Sequence, residues 1–332
     1  MIIYDGSPTE NISELIHLIN SDKIRYFREE NNNAPDLQNK AIHRAKGKYL
    51  IWLASDDILN QEVLLYYQSI LKENPKIDII YGDLHICDEH LIVKEEIIYE
   101  NWEERNKELI SNMLFSESLP EFGSAIRKTL YFKYGNYNTN FAHSYTYEWH
   151  TRIAKFANYT KVDKFIYEKR QHSNEISAET VDSDFLYDIE IVKKIINSNK
   201  LEELFYYLNW ENPTRAKADA YLYLSKRFLN LNEYNIALDF LKRIYLLYPS
   251  KNIKNSIEQF SQIVQKGETH NSYVDSIEKK VEKIMKNELT ENKSPIEEEK
   301  PMSFEETNQV QIELDIYNGF SDNLSKGVLP LE

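Results

Sequence analysis

The stretch that decides the fold is Lys48–Asp57, which reads KYLIWLASDD. Its apolar run, Tyr49–Leu53, predicts a buried strand that stops at the polar residues Ser55–Asp57. This run is far shorter than the ~20 apolar residues that a membrane-spanning helix needs. We therefore expect an internal strand of a sheet, with two adjacent carboxylates directly after its carboxyl end.

Short apolar runs alternate with helical patterns on both sides of this strand. The predicted strands are 1–4, 24–27, 49–53 and 77–81, and the predicted helices are 12–19, 37–45 and 63–71. Strands and helices that alternate through short connections predict a mostly parallel α/β sheet, sandwiched by helices. Ligands of such sheets bind beyond the carboxyl ends of the strands, where Asp5, Asp56, Asp57 and Asp83 are expected.

Composition excludes several classes of protein. The 332 residues include 8 glycines and one cysteine, and neither a GxGxxG nor a GxxxxGK[ST] motif is present. The lone Cys87 excludes an internal disulfide and suits a reducing cytoplasm. A net charge of −14 without a basic stripe argues against nucleic acid as a partner. We expect a cytoplasmic protein, with peripheral attachment to the inner face of the membrane left open.

The second half of the chain has a helical pattern and then an acidic tail. Residues 218–251 match one tetratricopeptide repeat of 34 residues, with Asn232 at the position of the usual turn glycine. This region is either a platform for a protein partner or a helical hairpin that covers the first domain. Residues 287–332 hold 11 Asp or Glu against 3 Lys and are expected to be disordered.

The adjacent carboxylates of Asp56 and Asp57 allow two interpretations. Neighbouring carboxylates repel each other unless a cation lies between them, and Mg²⁺ takes one or two carboxylates together with substrate phosphates. The pair therefore suits a metal that neutralises a nucleotide diphosphate. Alternatively, one of the two aspartates caps a helix that begins near Ile58.

Five segments resemble, in order, the family 2 glycosyltransferases of the GT-A fold. They are IIYDGS at 2–7, the run 39–59, IDIIYGD at 77–83, FGSAIRK at 122–128 with KYG at 133–135, and YEKRQH at 167–172. The resemblance covers residues 1–177. It implies a GT-A-like domain over residues 1–180, followed by the tetratricopeptide-like helices of 185–286 and the tail of 287–332.

The resemblance implies an inverting transferase that moves a sugar from a nucleotide-diphosphate donor to a glycan, lipid-linked or protein hydroxyl acceptor. A divalent ion, Mg²⁺ or Mn²⁺, would assist departure of the diphosphate. The implied metal ligands are Asp56, Asp57 and His172, and the implied nucleotide contacts are Asp5, Gly6, Ser7 and Arg170. On local grounds alone, His172 could be a surface histidine and Asp5 part of an ordinary Asp-Gly turn.

The sequence departs from the family pattern at several positions. Ala54 replaces the first acid of the D-x-D motif, and Thr146 stands where inverting members place their general base. Glu148 is the nearest carboxylate and becomes the candidate base, with an exposed helix-surface glutamate as the alternative. The family's first strand and a nucleotide-lining loop are expected before Met1, so either the start of the sequence is truncated or the nucleotide pocket is incomplete. A catalytically impaired protein that binds sugar nucleotides, or a helical-repeat interaction module, therefore remains as an alternative.

Overall fold

A computed structural model describes residues 1–6, 11–19, 21–29, 33–141, 144–171, 181–249 and 251–265. The chain divides into two compact units, Met1–Leu247 and Tyr248–Glu332. The predicted boundary at residues 180–185 lies partly outside the described residues, and the predicted acidic tail lies wholly outside them. No helix in the described ranges is long and apolar enough to cross a membrane.

The strands lie in the first 170 residues of the described chain. They are β1 (Ile2–Asp5), β2 (Arg25–Arg28), β3 (Tyr49–Ile51), β4 (Ile58–Leu59), β5 (Ile79–Cys87), β6 (Val93–Ile97), β7 (Ala125–Arg127) and β8 (Tyr159–Arg170). The predicted strands are therefore present, with boundaries that differ by a few residues.

Helices lie between several of these strands, and the residues described between 181 and 265 are helical without strands. The first group is α1 (Asn11–Ile19), α2 (Ala34–Arg44), α3 (Val63–Glu73), α4 (Asn106–Asn112), α5 (Thr129–Tyr134) and α6 (Tyr145–Ile153). The second group is α7 (Val181–Ser198), α8 (Leu201–Leu204), α9 (Pro213–Asn230), α10 (Tyr234–Leu247) and α11 (Lys251–Gln265). The predicted α/β class, followed by an all-α region, is confirmed.

The strands form two sheets rather than one mostly parallel sheet. Strands β1 and β2 pair in parallel as a two-stranded sheet. The larger sheet has the order β3-β7-β5-β8-β4, and β6 also pairs with β5. Only β5 and β8 are parallel neighbours in the larger sheet, whereas its other pairs are antiparallel. The expectation of a mostly parallel sheet was therefore wrong.

The reason for this difference is the position of β7. Strands β3 and β5 are both antiparallel to β7, so they run in the same direction, as the strand-helix-strand pattern predicts. Strand β7 comes from much later in the chain and lies between them. The local pattern indicates the direction of each strand, but it carries no information about a neighbour that arrives from a distant segment.

Strand β5 is the centre of the larger sheet and is buried on both faces. Ile80, Leu84 and Ile86 alternate along one face and pack with Val63 and Tyr67 of α3. Side chains alternate across a strand, so the residues between them face the opposite layer. This double burial agrees with the prediction of a sheet covered by helices on both faces.

Asp83 lies within β5 and not at its end. The strand continues to Cys87 because residues 84–87 pair with both β6 and β8. The Asp83 carboxylate is buried, lies 3.0 Å from Lys161 Nζ and accepts a hydrogen bond from the Tyr99 backbone N–H. The expectation that Asp83 joins the ligand-binding edge was therefore wrong, since its partners are internal to the fold.

The second group of helices includes the hairpin of α9 and α10. The turn between them contains Asn232 with φ of 58°, the left-handed conformation that asparagine tolerates better than most residues. Ser225 Oγ donates to the Ala237 carbonyl across the hairpin at 3.0 Å. Arg227 Nε donates to the Leu114 carbonyl at 2.8 Å, so α9 contacts the α/β part directly. This contact favours the interpretation that the hairpin covers the first domain.

Candidate functional site

The acidic turn, Ala54–Asp57, follows β3 and is held by strand β8. Asp57 Oδ2 accepts a hydrogen bond from Tyr167 Oη at 2.6 Å, and Asp57 Oδ1 accepts one from the Arg170 backbone N–H at 2.7 Å. Tyr167 Oη also accepts a hydrogen bond from the Ala54 N–H at 3.1 Å. Burial, with the hydrogen bond to Asp57 next, raises the pKa of Tyr167, which keeps this hydroxyl protonated. One neutral hydroxyl thus fixes both ends of the turn.

The residues after the acidic turn form a strand and not a helix. Ile58 and Leu59 make up β4, which pairs with Glu168 and Tyr167 of β8. The next helix, α3, begins only at Val63. The alternative that Asp56 or Asp57 caps a helix near Ile58 was therefore wrong. The local sequence did not reveal this because β4 owes its conformation to pairing with a distant strand.

The carboxylate pair fits a hard divalent ion. The described residues contain no group of three or more His, Cys, Asp or Glu side chains that could hold a metal. Mg²⁺ needs only one or two carboxylates when phosphates supply other ligands. Each oxygen of Asp57 accepts one hydrogen bond and keeps further lone-pair capacity, and such donors commonly orient metal-binding carboxylates. Asp56 and Asp57 could therefore hold a metal ion on the diphosphate of a ligand.

Arg170 and Asp57 are neighbours, joined by the hydrogen bond from the Arg170 N–H. The resemblance implies that both residues belong to the same site. Arg170 is the last residue of β8, and its side chain is partly buried. Its Nε is buried without a hydrogen-bond acceptor among the described residues. A buried guanidinium nitrogen without an acceptor suits an anionic ligand. His172, the third predicted metal ligand, lies outside the described residues.

Asp5 lies on the two-stranded sheet, whereas the acidic turn follows a strand of the larger sheet. It is the last residue of β1, is 4 % exposed, and accepts a hydrogen bond from Tyr26 Oη at 2.5 Å. Gly6 follows it and is exposed, and Ser7 is outside the described residues. The buried, hydrogen-bonded carboxylate shows that Asp5 is more than a solvent-exposed turn residue.

Glu148 is buried on α6 and is bound to two cationic side chains. Its Oε2 lies 3.1 Å from Arg152 Nη2, and its Oε1 lies 3.4 Å from Lys194 Nζ of α7. Because the residue is only 4 % exposed, the alternative of an exposed helix-surface glutamate was wrong. One carboxylate oxygen pairs with Arg152 within α6 and the other with Lys194 of α7, which favours a structural role for Glu148.

A different carboxylate occupies the position next to Thr146. Thr146 Oγ1 donates a hydrogen bond to Glu117 Oε1 at 3.0 Å. Burial raises the pKa of Glu117, and the nearby carboxylates of Glu121 and Asp188 raise it further, against the lowering effects of His150 and of the hydrogen bond from Thr146. Thr146 stands at the position where the resemblance implies an acid. Its hydroxyl orients the carboxylate of Glu117, which comes from another segment of the chain.

A buried polar network connects this region to β3. His150 Nε2 lies 2.9 Å from Glu121 Oε2, and both side chains are almost completely buried. Glu121 Oε1 accepts hydrogen bonds from the hydroxyls of Tyr131 and Tyr137. Tyr131 Oη in turn accepts a hydrogen bond from Trp52 Nε1 at 3.1 Å. Glu117 and Glu121 were not predicted from the sequence, where only their closeness to the FGSAIRK segment distinguishes them.

Comparison with known proteins gives a match at the start of the chain. Residues 1–126 match the model of the family described as glycosyl transferase family 2. An uncharacterized glycosyltransferase of Rickettsia bellii (strain RML369-C) is 37 % identical over 91 residues, 27 % of this chain and 13 % of that protein. The uncharacterized glycosyltransferase RP339 of Rickettsia prowazekii (strain Madrid E) is 34 % identical over 80 residues, 24 % of each chain. The chain thus matches only a small part of the length of these relatives.

Two solved structures match the chain at lower sequence identity. S. aureus TarS 1–349 in complex with UDP-GlcNAc has a TM-score of 0.47 and 13 % identity, over 81 % of this chain and 83 % of that one. Mannosyltransferase PcManGT from Pyrobaculum calidifontis, in complex with GDP-Man and Mn²⁺, has a TM-score of 0.44 and 11 % identity, over 88 % of this chain and 78 % of that one. The sequence match is therefore the stronger of the two comparisons: residues 1–126 are similar to glycosyl transferase family 2.

Proposed function

We propose that the protein transfers a sugar from a nucleotide-diphosphate donor to a hydroxyl acceptor, with inversion at the anomeric carbon. The family match over residues 1–126 supports the reaction class. The observation that carries the proposal is the acidic turn, where Tyr167 and the Arg170 backbone fix the Asp57 carboxylate at a strand end. A carboxylate held in this way is ready to bind a cation without rearranging.

Asp56 and Asp57 would hold a divalent ion, Mg²⁺ or Mn²⁺, against the diphosphate of the donor. When bound, such an ion stabilises the negative charge that develops on the departing nucleoside diphosphate. Arg170 would add a second positive charge through its partly buried guanidinium. Asp5 and Gly6 are proposed to contact the nucleoside, whereas Ser7 and His172 remain predictions outside the described residues.

The acceptor would be a hydroxyl on a glycan, a lipid-linked saccharide or a protein. Nucleic acid is not proposed, because the chain carries a net charge of −14 and would repel a polyanion. A cytoplasmic location fits a donor of this class and the single buried Cys87. A protein partner bound through the helical region also remains a prediction.

The test is release of nucleoside diphosphate from a panel of UDP-, GDP- and dTDP-sugars, with Mg²⁺ or Mn²⁺ added and with EDTA. We expect Asp56→Asn and Asp57→Asn to lower metal-dependent turnover by about 100-fold or more, as for loss of a group that stabilises transition-state charge. Asp163→Asn is the matched control, because the Asp163 side chain is fully exposed on β8. Equal turnover by the wild type and both variants would refute the metal proposal.

A second candidate function is donor binding without transfer. The observation in its favour is that Thr146 replaces the expected acid while Glu148 is engaged by Arg152 and Lys194. Calorimetric titration of the same donors separates the two candidates. Micromolar binding with no release of nucleoside diphosphate, with or without added glycosides, would support the binding function over the transferase.

A further inference from the structure

A cavity of about 330 Å³ opens beside α6, and it is called the α6 cavity below. Its walls come from the segment after α4, the start of α6, and helices α7 and α9. The lining includes Phe115, Glu117, Ser144, Tyr147, Asp188 and Arg227. Carboxylates, hydroxyls and a guanidinium can pair with neighbouring sugar hydroxyls, and aromatic rings can pack against the apolar face of a sugar ring. The lining therefore suits a polyhydroxylated ligand.

We propose that the α6 cavity binds a saccharide acceptor, and that Glu117 is the general base that takes the proton of its attacking hydroxyl. This inference rests on the proposed function and deepens it by naming the acceptor class and the base. Glu117 Oε1 is oriented by the Thr146 hydroxyl at 3.0 Å, and the side chain is exposed to the cavity. Glu148, in contrast, is paired with two cations and does not line the cavity.

The α6 cavity is connected to the acidic turn by a short segment of chain. Glu117 and Gly123 are six residues apart, so their Cα atoms are separated by at most about 22 Å. The Gly123 N–H donates to the Trp52 carbonyl at 3.0 Å, and Trp52 precedes Asp56 by four residues. The buried network of Glu121, Tyr131 and Trp52 stiffens this connection. The acidic turn and the α6 cavity are thus joined by a short hydrogen-bonded segment of chain, and the proposal places the donor and the acceptor at its two ends.

The surroundings of Glu117 shift its pKa upward from that of an ordinary carboxyl group. Glu121 and His150 lie behind it, and Asp188 of α7 and Arg227 of α9 share the cavity. Glu117 is accessible from the cavity, but the protein packed around its carboxylate desolvates it; this desolvation and the two carboxylates raise the pKa of Glu117, against opposing effects of His150 and Thr146. A general base is most effective when its pKa is close to the working pH, so a shift upward from an ordinary carboxyl value improves it.

The reaction step is a displacement at the anomeric carbon. The acceptor O–H bond breaks and its proton goes to a Glu117 carboxylate oxygen, while the acceptor oxygen forms a bond to the sugar C1. The bond from C1 to the diphosphate oxygen breaks, and its electron pair leaves on the nucleoside diphosphate. Attack opposite the leaving group inverts the anomeric configuration, and the proton balance closes when Glu117 releases its proton to water.

The test uses the full chain, the nucleotide sugar that the wild type binds, and methyl glycosides of glucose, galactose, mannose and N-acetylglucosamine as acceptors. We expect Glu117→Gln to lower kcat by about 100-fold or more while the donor Kd stays within about twofold, since general-base catalysis contributes about 10²–10⁴-fold. Glu103→Gln, an exposed glutamate near the start of α4, is the matched control. Thr146→Val keeps the carboxylate but removes its hydrogen bond, so it should shift the acidic limb of the pH–kcat profile.

The outcomes separate the two proposals. If the wild type binds no donor in the panel, the proposed function fails. If the wild type releases nucleoside diphosphate and Glu117→Gln keeps its kcat and pH profile, the base assignment is wrong while the proposed function stands. Donor binding by the wild type with no turnover on water or on any glycoside also overturns the base assignment. If the thermal midpoints of the variants lie within about 2 °C of the wild type, a loss of kcat is not caused by misfolding.

Discussion

The acidic turn and the α6 cavity are built in opposite ways. The acidic turn consists of four consecutive residues, Ala54–Asp57, fixed by a single strand through neutral donors. The α6 cavity draws its lining from four separate segments, and its carboxylates lie among cations and other carboxylates. The acidic turn can be recognised in the sequence because its residues are consecutive. The second exists only after distant segments have packed together.

The largest expected loss of stability comes from a change in the buried polar network of Glu121, His150, Tyr131 and Tyr137. Glu121→Ala would leave His150 and the hydroxyls of Tyr131 and Tyr137 buried without their shared acceptor. Breaking such a buried pair typically costs about 3–5 kcal/mol in the free energy of unfolding, which urea denaturation would measure. Glu121→Gln keeps an acceptor oxygen and should cost less. A loss below about 1 kcal/mol for the alanine variant would mean that the network does not stabilise this region.

Glu148→Gln should have a smaller effect on stability and little effect on the pH profile. Its partners Arg152 and Lys194 are partly exposed, so we expect a loss of about 1–3 kcal/mol rather than the full cost of a buried pair. Urea denaturation and a pH–kcat profile of the same variant provide the check. Unchanged stability together with loss of the acidic limb would identify Glu148 as the base and remove that role from Glu117.

The residues changed in these two variants also show how much of the fold and of the site could be predicted from the sequence. The α/β class, most of the elements and the acidic turn follow from local patterns and contiguous motifs, whereas a place for Arg170 at the same site was implied only by the family resemblance. The insertion of β7 between β3 and β5, and the internal position of Asp83, depend on pairing between distant segments. Glu117 was missed for the same reason, since its partner Thr146 is 29 residues away and the intervening chain carries no periodic signal for that contact.

At the acidic turn, Tyr167→Phe removes the hydroxyl that holds both Ala54 and Asp57. We expect a stability loss of about 1 kcal/mol, and about a 10-fold rise in the Mn²⁺ concentration needed for half-maximal turnover, because groups that orient a metal ligand affect affinity to this extent. A metal titration of turnover makes the measurement. Tyr206→Phe, on an exposed ring, is the control. An unchanged metal requirement would show that the hydroxyl does not orient a metal ligand.

The smallest expected effect concerns the hairpin that brings Arg227 to the α6 cavity. Asn232→Ala places a less tolerant residue at φ of 58°, so we expect a loss of about 1 kcal/mol or less, whereas Asn232→Gly should be neutral or slightly stabilising. Thermal unfolding of the two variants side by side gives the comparison. If alanine is as stable as glycine here, the left-handed turn does not limit the stability of the hairpin.

The placement of Arg227 on α9 has a consequence for biosynthesis. The partners of Asp57 are complete once Arg170 has been synthesised, whereas Arg227 follows 57 residues later. At the usual ~5–20 residues per second, that interval is about 3–11 s, during which N-terminal parts of a chain begin to fold. The acidic turn can therefore form on the nascent chain before the last wall of the α6 cavity exists. A newly made molecule would thus complete the acidic turn first and the α6 cavity second.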